Sequence, residues 1–191
     1  MGNELIEILK LLIERKEERL SIRRIALLRK VNYKSAYNAL MQLQKQGIVN
    51  LEKTGNTTIC KFNEKFNDLV FKAEFERRGD LLKNKNFWVI HDQISKLNFP
   101  FIVLLFGSYA KGTATKNSDI DLLIISKDDE EKIFDNLFKF SSNNIHLTQI
   151  NYNSFVQMIK SKELSVVGEA LKKNIILVGI EDYYRLLENV R

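Results

Sequence analysis

Gly107-Ser108 and Asp119-Ile120-Asp121 stand ten residues apart, each at the edge of an apolar run. Phe101 to Phe106 leads into Gly107-Ser108, and Leu122 to Ile125 follows Asp121. The pattern predicts a strand that stops at a tight turn, a short helix from Ser108, and a second strand carrying the acids. Side chains alternate along a strand, so Asp119 and Asp121 share one face while Ile120 takes the other. Two neighbouring carboxylates repel each other, and the arrangement is tolerable where a divalent cation sits between them and something anionic. Helix N-termini attract anions, and glycine lets the backbone come close to them. Lys111, between the two motifs, is either a further phosphate partner or a solvated loop residue.

Taken together, Gly107-Ser108, ten residues and Asp119-Ile120-Asp121 resemble the signature of the nucleotidyltransferase superfamily of the DNA polymerase beta type, especially its small members. The resemblance covers about twenty residues directly and the region 98–180 by layout. It implies that Asp119 and Asp121 hold Mg²⁺ or Mn²⁺ against a nucleoside triphosphate whose phosphates meet Gly107, Ser108 and Lys111. The implied reaction moves a nucleoside monophosphate to a protein hydroxyl, a small molecule or an RNA end and releases pyrophosphate. Members of this family usually carry a third carboxylate on the next strand. Here that stretch is Ile145-His146-Leu147-Thr148-Gln149-Ile150, and His146 stands where the acid is expected. Histidine can act as a base, although it suits zinc or manganese better than magnesium. The candidate catalytic residues are therefore Asp119, Asp121 and His146. Otherwise His146 is a polar strand residue and general-base chemistry has been lost.

The N-terminal third reads differently. Residues 3–15 have Leu5, Ile8, Leu9 and Leu12 at helical spacing, with Asn3 placed to cap the start. Ser21 is suited to cap a second helix over residues 22–29. A third spans residues 33–46 with Ala36, Ala39, Leu40 and Leu43 inward, and Gly47 stops it. The turn Thr54-Gly55-Asn56 between two short runs predicts a hairpin. Three helices and a hairpin resemble a winged helix-turn-helix. That resemblance implies a recognition helix from Tyr33, with Lys34, Ser35 and Asn38 outward. Arg23, Arg24, Arg29 and Lys30 would meet phosphates of double-stranded DNA, with Lys53 on the wing.

Charge supports that division. Residues 1–62 hold twelve lysines and arginines against six acids, residues 63–97 seven against six, and residues 98–191 eleven against twelve. The excess of positive charge in the first third suits a polyanion. A single cysteine, Cys60, excludes an internal disulfide and cysteine-built zinc sites. The longest apolar run, Phe99 to Phe106, is too short to span a bilayer, and Glu4 and Glu7 stand where a secretory signal would be basic. A cytoplasmic location without membrane attachment is expected.

Between the two parts, Phe66, Leu69, Val70 and Ala73 form one helical stripe and Phe71 and Phe75 another. A helix apolar on two faces is expected between domains or in a homodimer. Gly79-Asp80 is expected to interrupt it before a further helix over residues 81–97, with Trp88 packed inward. Asp128 and Asp129 are expected to cap a helix, not to ligate metal. A polar loop is expected at 141–144, helices at 151–160, 162–172 and 181–190, and a short apolar run at 175–179. The expected fold class is α+β. A winged helix-turn-helix occupies residues 1–62, a helical connector 63–97, and a nucleotidyltransferase-type mixed sheet flanked by helices 98–191. A non-catalytic, nucleotide-responsive DNA-binding regulator is the alternative function.

Overall fold

The computed structural model describes residues 2–139, 144–161 and 165–190. It forms two compact units, residues 1–74 and 75–191. No helix among the described residues is long and apolar enough to cross a membrane.

In the first unit, α1 (Gly2–Glu14) leads to a two-residue strand, β1 (Leu20–Ser21). Next come α2 (Ile22–Arg29) and α3 (Tyr33–Lys45). The hairpin β2 (Val49–Thr54) and β3 (Thr57–Phe62) follows, and β1 adds to it to give an antiparallel sheet of order β1-β3-β2. Asn3 lies inside α1 and does not cap it, since the helix begins one residue earlier. The α1 stripe is also wider than expected, because Ile6 and Ile13 are buried with Leu5, Ile8, Leu9 and Leu12.

The caps of α2 and α3 follow from their sequence. The Ser21 hydroxyl accepts the Arg24 amide, and the Asn32 side chain accepts the Ser35 amide, each satisfying an orphan first-turn donor. Ala36, Ala39, Leu40 and Leu43 are all buried, as their spacing requires. Gly47 takes a left-handed φ of +70°, and the next amide returns to the Leu43 carbonyl, closing the helix.

The division between the units falls within α4 (Asp68–Leu81). Gly79 and Asp80 do not interrupt this helix. A single glycine in a helix costs about 1 kcal/mol, which side-chain anchoring can offset. Here Arg77 donates to the Asn174 carbonyl at 2.8 Å and Arg78 to the Leu177 carbonyl at 3.0 Å. Val70, Phe71 and Ala73 are buried, but Phe75 is exposed, with the Arg78 guanidinium 4.8 Å over its ring.

The second unit continues with α5 (Lys85–Ile94), capped by Asn84, where one longer helix had been expected. Trp88 is exposed on it, not packed, because Phe87, Ile90 and Ile94 already form its inner face. Then follow β4 (Ile102–Phe106), α6 (Gly107–Lys111), β5 (Ile120–Ser126), a 3₁₀ turn (Asp128–Glu130) and α7 (Glu131–Phe138). The chain goes on through β6 (Ile145–Asn151), α8 (Tyr152–Ser161), α9 (Val166–Lys172), β7 (Ile175–Val178) and α10 (Ile180–Val190). The expected loop at 141–143 and residues 162–164 of the expected helix 162–172 lie outside the described residues. Asp128 accepts a hydrogen bond from the Asn151 side chain at 2.8 Å, so it braces the end of β6.

The sheet order is β6-β5-β4-β7, with β5 and β6 parallel and the other pairs antiparallel. One face packs Val103, Leu105, Ile120, Leu122 and Ile124 against Phe87, Ile90 and Ile94 of α5 and Phe134 and Phe138 of α7. Helices α8, α9 and α10 touch β5 and β4 and bring Phe155, Val167, Tyr183 and Leu187 into a second buried layer. Strands covered on both faces read as continuous apolar runs, which is why 102–106 and 122–125 show no polar alternation.

Candidate functional site

Antiparallel pairing sets Phe106 opposite Asp121. The residue after Phe106 therefore begins α6 beside that carboxylate. Gly107 has a φ of +67°, and a Cβ built on it would lie 2.0 Å from Asp121 Oδ2. Only a residue without a side chain lets the turn press against the acid, so glycine is required twice over. The first amides of α6 have no carbonyl partner within their own helix, which starts at Gly107, next to the Asp121 carboxylate. Gly112 ends the helix in the left-handed region, and the Thr113 amide returns to the Ser108 carbonyl at 3.0 Å.

A closed loop then delivers the first acid. Ser118 Oγ accepts the Thr115 amide at 2.8 Å, and the Ser118 amide returns to the Thr115 carbonyl at 3.1 Å. Asp119 is exposed just ahead of β5, and the buried Ile120 between the two acids anchors both to the core. The parallel partner β6 completes the arrangement. The Ile120 amide donates to the Asn144 carbonyl at 2.9 Å, and the Asn144 side chain donates to Asp119 Oδ1. One step along, His146 pairs with Asp121, its Nδ1 3.5 Å from Oδ1. His146 is largely exposed, with 69% of its side chain accessible against 26% for Asp121.

Gly107, Asp119, Asp121 and His146 thus converge at the ends of β4, β5 and β6. Lys111 points elsewhere in part, with its Nζ 4.0 Å from Glu169 Oε1 of α9. Asn144 was not singled out from the sequence. Its only signal is its place two residues before His146, and only the parallel register shows that this is opposite Asp119. Among the described residues, no three His, Cys, Asp or Glu side chains are arranged to hold a metal by themselves. Two carboxylates backed by a glycine turn suit a cation that keeps several waters and takes other ligands from phosphate oxygens.

On the first unit, Arg23, Arg24, Lys30, Lys34, Asn38 and Lys53 are exposed and Ser35 is half-buried. Arg29 is engaged by the Glu7 carboxylate. Lys34, Ser35, Asn38 and Gln42 line an open groove of about 310 Å³ whose other wall holds Glu4 and Leu5.

Residues 90–180 match the family model described as "Nucleotidyltransferase domain". The chain is also similar to "Protein adenylyltransferase MntA" of Shewanella oneidensis, 40% identical over 53 residues. That stretch is 28% of this chain, and the chain spans 36% of the relative's length. No solved structure matches the chain.

Proposed function

We propose, from the nucleotidyltransferase domain that residues 90–180 match, that this chain binds a nucleoside triphosphate with a divalent cation and transfers its nucleoside monophosphate to an acceptor hydroxyl. The observation that carries this reading is the close approach of the Gly107 turn, where α6 begins, to the Asp121 carboxylate. Asp119 and Asp121 would hold Mg²⁺ or Mn²⁺, which when bound draws negative charge off the triphosphate. Gly107 and Ser108 orient the phosphates through backbone amides, and Lys111 adds a cation once released from Glu169. The acceptor oxygen bonds to the α-phosphorus as the bond to pyrophosphate breaks. The acceptor proton passes to His146 or to water. The relative's printed name supports a protein as acceptor and an adenylyl group as cargo.

Residues 1–62 are read as a winged helix-turn-helix that binds double-stranded DNA, with 63–97 as connector and 98–191 as the transferase part. The order of helix, short strand, two helices and hairpin supports this, as do the exposed cations Arg23, Arg24, Lys30, Lys34 and Lys53. One observation favours a second reading, a nucleotide-responsive regulator without catalysis. An imidazole, not a third carboxylate, faces Asp121 across the β5–β6 pair.

Incubation with α-labelled nucleoside triphosphates, Mg²⁺ or Mn²⁺ and candidate protein acceptors separates the two. Label transfer abolished by Asp121→Asn supports the transferase. Cation-dependent nucleotide binding without transfer, lost in Asp119→Asn, supports the regulator. Absence of nucleotide binding with either cation would refute both.

A further inference from the structure

We propose that Tyr33 and Tyr37 form the apolar part of the duplex-DNA contact of the first unit, their rings packing on base edges and sugars while neighbouring cations hold phosphates. This rests on reading that unit as a DNA-binding module, and names the surface that does the binding.

The two rings lie one turn apart on α3, with centroids 6.3 Å apart and planes 18° from parallel. Their exposures, 55% and 41%, are high for aromatic residues on a folded surface. The near-parallel rings present one continuous apolar face to solvent.

Charge identifies the occupant. Between Glu18 and Glu52 the chain has seven lysines and arginines and no acid. Arg23, Arg24, Lys30 and Lys34 are exposed in that stretch. A second copy presenting the same patch would set like charges together, whereas a polyanion with apolar bases complements both kinds of group. The opposite shoulder of α3 is less suited to phosphates. There Lys34, Ser35, Asn38 and Gln42 line a groove whose other wall bears Glu4, a carboxylate that offsets the lysine and whose Oε1 is buried without a hydrogen-bond partner. Polar residues alone would have placed the contact at Lys34 and Asn38. The structure shifts its apolar centre to the tyrosine side.

The two kinds of contact respond differently to salt. Phosphate contacts release counterions, so each one lost lowers the slope of log affinity against log salt by about 0.9. Apolar packing leaves the slope alone. Covering about a quarter of the exposed ring area corresponds, by the usual transfer coefficient, to roughly tenfold in affinity.

The test titrates the full chain against a labelled 30-base-pair duplex of mixed sequence, and the matching single strand, from low to moderate NaCl. Tyr33→Ala/Tyr37→Ala is expected to weaken duplex binding roughly tenfold at every salt concentration with an unchanged slope. Tyr33→Phe/Tyr37→Phe is expected to retain wild-type affinity, and Arg24→Gln/Lys34→Gln to flatten the slope. Unchanged duplex affinity in the alanine pair would overturn the proposal, and so would an equal loss in the phenylalanine pair, which would assign the contact to the hydroxyls. Binding confined to the single strand, or a tyrosine-dependent dimer seen by sedimentation without an effect on DNA, would overturn it too. If the wild-type chain shifts no duplex even at low salt, the DNA-binding reading itself fails, which is a distinct result from a tyrosine-independent shift.

Discussion

Gly107→Ala is the most informative single change. A methyl at this position would start 2.0 Å from Asp121 Oδ2, where real Cβ contacts are essentially never below 3.0 Å. The carboxylate must therefore retreat by about 1 Å or the turn must open. Holding a non-glycine residue at a φ of +67° adds about 1–2 kcal/mol of backbone strain. The expected result is a melting temperature several degrees lower and a loss of transfer on the order of a hundredfold, since a 1 Å misplacement of a reacting group costs about that much. Calorimetric titration of a non-hydrolysable triphosphate analogue with Mn²⁺ reads the binding part directly. A double-mutant cycle isolates the clash. Read in melting temperature, an Asp121→Ala background has lost the offending oxygens and keeps only Cβ at 3.2 Å, so Gly107→Ala should cost little beyond the strain there. Equal costs in the two backgrounds, or wild-type affinity in Gly107→Ala, would refute the view that the turn rests on the carboxylate.

Asn144→Ala removes the donor that orients Asp119, and metal-dependent nucleotide affinity should fall roughly three- to tenfold in calorimetry, with the fold unchanged by circular dichroism. His146→Asp puts a third carboxylate opposite Asp121, and Mg²⁺-supported label transfer should rise; an unchanged or lower rate would count against a role for that position. Burial, reinforced by the Arg78 charge and opposed by Asp92, holds His91 below its ordinary value of 6.5. The unfolded chain therefore takes up this proton first as pH falls below about 6.5, so stability declines from there to the folded pKa and no further. Denaturant unfolding of His91→Gln across pH 5–8 should show a shallower acid-side decline than the wild type. Burial pushes the Cys60 thiol up to about 12, so iodoacetamide at pH 8 should label it only after denaturant unfolds the first unit, as read by mass spectrometry.

Much of the molecule is written locally. Ser21 announces a helix start because its short side-chain acceptor stands three residues ahead of an orphan amide, whereas Asn3 offers the same acceptor and does not cap, because α1 begins one residue earlier. Gly47 announces a stop because a left-handed residue is needed there whatever surrounds it. The Gly107-Ser108 and Asp119-Ile120-Asp121 motifs were legible through their resemblance to the nucleotidyltransferase signature and through strand alternation, which sets the two acids on one face; the pairing of β4 with β5 is what brings the turn beside them. Local rules failed where tertiary anchoring outweighed a weak local preference. Gly79 did not break α4, whose Arg77 and Arg78 are tied to carbonyls about a hundred residues away. Trp88 was displaced to the surface because Phe87, Ile90 and Ile94 filled the inner face of α5.

The sequence by itself determined the identity of the acids, the glycine turn and the basic first third, since these are properties of residue type and near neighbours. Tertiary structure decided which side chains meet them. Asn144 beside Asp119, His146 beside Asp121, Glu7 on Arg29 and Glu169 near Lys111 all follow from strand register or helix packing between residues far apart in the chain. A one-residue slip of β6 would send Asn144 and His146 to the opposite face of the sheet, and no local pattern in a partly exposed edge strand records that choice.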